Sequence, residues 1–65
     1  MNKHTYWYIG SVATFGKIID RNWKASTRAK SVEEARRNLI YQYKKSHNML
    51  PNYQIELVDK ITLVA

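Results

Sequence analysis

The groups in this 65-residue sequence that could move a proton are two histidines, His4 and His47, and five acids, Asp20, Glu33, Glu34, Glu56 and Asp59. None is spaced as a catalytic set. Glu33 and Glu34 follow Ser31 at the distance of a helix-capping box, which accounts for them by folding. His47 falls at the end of the same helix, where an imidazole satisfies terminal carbonyls and the negative end of the dipole. Asp59 stands far from His47 in sequence, with no triad logic joining them. The chain has no cysteine, no metal-ligand spacing and no glycine-rich phosphate loop. A non-enzymatic protein with no cofactor and no metal is expected.

Binding chemistry is better represented. Lysine and arginine outnumber acids 11 to 5, a formal charge of +6 on a small body. Such a field favours polyanions, either nucleic acid (DNA or RNA) or an acidic protein surface. Arg28, Lys30, Arg36, Arg37, Lys44 and Lys45 all fall between positions 28 and 45, where Glu33 and Glu34 are the opposing acids. Arg37 and Lys44 share a helix face with Tyr41 between them, and Arg28 and Lys30 lead into that helix. Cations so arranged can lie along a phosphate backbone. A solvated helix face has the same composition.

The aromatic residues are the third group. Tyr6, Trp7, Tyr8, Phe15, Trp23, Tyr41, Tyr43 and Tyr53 are many large rings for so short a chain. Trp7 alternates with Tyr6 and Tyr8, so one side of that strand carries a ring away from the core. With Lys24 and Arg28 nearby, Trp7 or Trp23 could stack on single-stranded bases. The same rings could equally anchor a homodimer or a partner protein, or lie flat beneath lysine stems. The expected nucleic-acid-binding set is therefore Arg28, Lys30, Arg37, Tyr41, Lys44, Lys45, Trp7 and Trp23.

The elements that must position these groups follow from periodicity. His4 to Val12 alternates, with Tyr6, Tyr8 and Val12 on one side and Thr5, Trp7, Ile9 and Ser11 on the other, which predicts a strand. Ala13-Thr14-Phe15-Gly16 is the expected turn, with Gly16 available for positive φ. Lys17 to Ala29 is a second strand with Ile19, Trp23, Ala25, Thr27 and Ala29 on one face and Arg21 among them; Asp20-Arg21-Asn22 is weak strand material, where a bulge or shifted turn can form. Ser31 to about His47 is a capped amphipathic helix. Val32, Ala35, Leu39 and Tyr43 form its apolar stripe, Asn48 is its C-cap, and Pro51 prevents continuation. Tyr53 to Val64 is the last strand, with Tyr53, Ile55, Leu57, Ile61 and Leu63 inward. Asp59 shares their parity, so Val58-Asp59-Lys60 is a bulge or turn, or Asp59 lies beyond the helix.

The fold expected is α+β, a three-stranded antiparallel sheet with one helix packed on one face, in the order ββαβ. Residues 1–65 form a single domain, too small to enclose a deep substrate pocket. The start of the sequence has no signal-type apolar stretch, and the apolar runs are too short to cross a bilayer, so a cytoplasmic protein without membrane contact is expected.

The run Trp23 to Ala35, a strand ending in a small residue followed by a serine-capped helix opening with Glu-Glu-Ala, resembles many small α+β nucleic-acid and ribosome-associated modules. Size, charge and the Lys/Asn/Ile-rich composition also resemble small basic phage and mobile-element proteins of low-GC bacteria. That resemblance implies either DNA-related work or blocking of a host machine.

Overall fold

Phe15 and Gly16 both adopt positive φ, 50° and 78°. That combination makes a two-residue hairpin loop whose twist matches the flanking strands. The turn is tighter than the sequence pattern suggests, because Ala13 and Thr14 stay in the strand. The computed structural model, which describes residues 3–50 and 52–64, thus begins with a long hairpin of β1 (His4–Thr14) and β2 (Lys17–Ala29). α1 (Val32–Ser46), β3 (Glu56–Leu57) and β4 (Thr62–Leu63) follow. The sheet is antiparallel, with β1 between β2 on one side and β3 and β4 on the other. One helix packs on it, giving the α+β, β-β-α-β architecture.

β2 is longer than β1 because it carries two register shifts. Gly10 pairs with Trp23 and Val12 with Asp20, then Ala13 with Ile18. The first step leaves Arg21 and Asn22 opposite Ser11 alone; the second leaves Ile19 with no partner. Each extra residue flips the side-chain parity. Asp20 therefore turns in to become half-buried and Ile19 turns out; the irregularity falls at the Asp20-Arg21-Asn22 stretch named from sequence, and it corrects the inward placement of Ile19. The Asn22 backbone N–H donates to Asp20 Oδ1 at 3.2 Å, a local bond that suits the bulge.

The helix starts as its sequence dictates. Ser31 Oγ accepts the Glu34 N–H at 3.2 Å. Glu34 Oε1 reaches back one residue further than a capping box requires, to the Lys30 N–H at 2.7 Å. At the far end His47 is the cap, and Asn48 at φ 56° is the left-handed residue beyond it, not the cap itself. The Asn48 and Met49 N–H groups donate to the Lys45 and Lys44 carbonyls, a Schellman closure. Pro51 lies outside the described residues.

Ala35, Leu39 and Tyr43 are the buried helix residues; Val32, expected in the stripe, is exposed at the first turn. Tyr8, Val12, Leu39, Tyr43, Ile55 and Leu57 form the main core, with Trp23, Ile40, Met49 and Ile61 against it. Leu39 is fully buried and contributes about 1.5–3 kcal/mol by its burial. Ala29 and Ala35, both without exposed surface, let the helix N-terminus sit close to the sheet beside Tyr6.

The last segment is not one strand. β3 meets β1 at Val12 and Ala13, and β4 meets it at Tyr6 and Trp7. Val58-Asp59-Lys60 interrupts them; Ile55 and Leu57 are buried, whereas Tyr53 and Leu63, both expected inward, are substantially exposed. The Asp59 carboxylate fills the interruption, its Oδ2 accepting the Ser11 N–H at 2.8 Å. The Asp59 N–H donates to the Tyr8 hydroxyl at 3.0 Å, and that hydroxyl donates to the Ser11 carbonyl.

Candidate nucleic-acid interface

The helix runs back along β2, and its side chains secure that edge. Asn38 Nδ2 donates to the Arg28 carbonyl at 3.4 Å and Gln42 Nε2 to the Ser26 carbonyl at 3.2 Å. Four helical residues rise about 6 Å, close to the roughly 6.6 Å of two strand residues, so an i, i+4 pair can match an i, i+2 pair running the opposite way. This fixes which helix face looks outward.

On that outward side Arg37, Tyr41, Lys44 and Lys45 surround one hollow of about 410 Å³, floored by Ile40 and Met49. Tyr41 is 63 % exposed. The apolar floor exists because the Schellman turn brings Met49 back against the helix, a contribution that periodicity alone does not reveal. Arg36, one residue from Arg37, is engaged elsewhere: its Nη1 donates to the Leu57 carbonyl at 3.1 Å and braces helix to β3.

The other expected residues lie apart from this hollow. Arg28 projects from the sheet face away from the helix, paired with Thr5 across the hairpin. Lys30 is exposed at the helix entry. Trp7 shares the sheet face with Arg28 and is 49 % exposed. Trp23 faces the helix instead. Its ring meets Tyr43 edge-on at 5.0 Å and Tyr8 at 6.1 Å, and Tyr43 in turn stacks on His47 at 4.0 Å. Trp23 is thus part of the packing between the layers, and the single site expected from sequence divides between two opposite faces.

The open sheet face holds a second, shallower hollow of about 290 Å³, lined by Trp7, Ile9, Lys24, Ala25 and Ser26. Lys24, opposite Ile9 in the register, is the cation that the sequence places near these rings without including it in the binding set.

His47 Nδ1 lies 2.9 Å from the Tyr43 carbonyl and 3.1 Å from Ser46 Oγ, which occupies the ring with the helix end. Among the described residues no three His, Asp or Glu side chains converge as a metal site. No helix among them is long and apolar enough to cross a membrane.

The fold and its surfaces define a small basic α+β protein with two uncovered faces of different character. No protein-family model matches the chain, and no match was found among curated proteins or solved structures.

Proposed function

We propose that this protein is a non-enzymatic nucleic-acid-binding module of the cytoplasm. One observation carries the reading: Arg37, Lys44 and Lys45 with Tyr41 ring a single hollow on the outward helix face of a protein with formal charge +6. Cations grouped this way suit a phosphate backbone, and a tyrosine among them can stack and hydrogen-bond. Fluorescence anisotropy with labelled duplex DNA, single-stranded DNA and RNA at low salt tests it. Micromolar protein should bind, and the log–log salt slope should shrink by about 0.9 for each duplex-DNA phosphate contact removed by Arg37→Ala, Lys44→Ala or Lys45→Ala. No binding to any of the three would overturn the reading.

A second reading is a protein-interaction module, either an inhibitor that docks on a nucleic-acid enzyme or a homodimer. Its support is the hairpin tip. Phe15 is 74 % exposed and meets Tyr53 edge-on at 6.2 Å, with Ile18 also uncovered. Size-exclusion chromatography with light scattering separates the dimer version from a monomer.

A further inference from the structure

We propose that the open face of the sheet binds unpaired bases of a single-stranded nucleic acid, with Trp7 as the stacking ring. This rests on the nucleic-acid reading but uses the face opposite the helix. Trp7 stands on the central strand between Ser26 of β2 and Thr62 of β4. Both directly opposed neighbours are small, the indole is left 49 % exposed, and the helix lies on the other side of the sheet. Lys24 and Arg28 flank Ser26 along β2, about 13 Å apart at strand spacing. One cation therefore sits to either side of the ring along the strand direction, where a backbone running along β2 would carry its phosphates. Ile9 extends the apolar floor and is itself half exposed. The hollow here is small and open, which suits one flat base better than an enclosed ligand. Bases in a duplex are already stacked and cannot reach the indole; bases of a single strand can.

The test uses the wild-type protein labelled with 15N, whose two tryptophans give two indole resonances, assigned with Trp7→Phe. Titration with oligothymidylate should move the Trp7 resonance and leave that of Trp23 nearly unmoved, while a duplex of equal length leaves Trp7 in place. By anisotropy, Trp7→Leu should weaken single-strand binding roughly 5- to 150-fold, the range expected for loss of one stacked base. Trp7→Phe should keep most of the affinity, and thermal melts confirm that both variants fold. If single strands bind yet the Trp7 resonance is still and Trp7→Leu binds normally, this proposal falls and the nucleic-acid reading stands. If no nucleic acid binds, both fall. If Trp7→Leu instead lowers the mass measured by light scattering, the face is a contact between copies and the proposal is overturned.

Discussion

The Asp59 carboxylate lies directly over the bare Cα of Gly10, where it accepts the neighbouring Ser11 N–H at 2.8 Å. A Cβ at position 10 would stand 2.1 Å from Asp59 Oδ2, closer than atoms can approach. Glycine is required there by this close approach, since β1 carries no positive φ at Gly10.

Gly10→Ala should therefore expel the carboxylate and cost about 1–3 kcal/mol, the usual range for overpacking. Asp59→Ala removes the same Ser11 hydrogen bond by the other route. Urea midpoints of the two single variants and the double variant check the coupling: the double should cost less than the sum of the singles.

Replacing Asn38 and Gln42 together by leucine should free the Arg28 and Ser26 carbonyls on the β2 edge. The loss should be about 0.5–1.5 kcal/mol for each bond, read from thermal melts. An uncovered strand edge also pairs with other chains, so light scattering of this variant should rise with time at a concentration where the wild type is stable.

Burial raises the Tyr8 hydroxyl above its ordinary pKa near 10, with the Asp59 charge adding to it. Burial likewise raises Tyr43, helped by the Asp20 carboxylate beside it. The unfolded chain then releases these protons near pH 10 while the folded protein still holds them. Stability present below about pH 10 is lost as pH rises through the folded-state values. Melting temperatures from pH 8 to 11 should fall above 10, and Tyr43→Phe should make that fall shallower.

Phe15→Asn should stabilise the hairpin. A bulky residue at φ 50° costs about 1–2 kcal/mol, which asparagine largely avoids. The exposed ring contact to Tyr53 that is lost is worth about 0.5 kcal/mol, so a net gain of roughly 0.5–1 kcal/mol is expected by denaturant melt. If the tip is a docking surface, the same variant should be more stable and bind its partner less.

The hairpin strands, the helix and its serine cap are legible because each is set by local periodicity or a local hydrogen bond, whereas the split of the last segment into two short strands depends on what Asp59 meets across the sheet. Trp23 was not assignable, because strand parity said that it shared a face with Ala25 but not which face the helix would cover. Ile19 and Asp20 exchange faces for a different reason: a bulge reverses parity, and its position depends on the partner strand. The hollow at Arg37 and Lys45 was half legible. Helical spacing gave the cations, whereas its Met49 floor depends on the chain turning back after Asn48. Asp59 was flagged as anomalous by parity, and its explanation lay across the sheet at Gly10.

The two rims of β1 differ in how far apart their partners lie along the chain. The hairpin rim joins neighbours through a two-residue loop, while the other rim joins Tyr6 to Leu63 and Val12 to Leu57. Each of those distant pairings is only two residues long, so few ladder hydrogen bonds, beside the Asp59 and Arg36 contacts, offset the entropy of closing so long a loop. The second rim is therefore expected to open ahead of the hairpin, before the whole molecule unfolds. Hydrogen exchange should register it: the Val58 and Val64 amides, which donate to Ser11 and Thr5, exchange ahead of the amides buried within the hairpin.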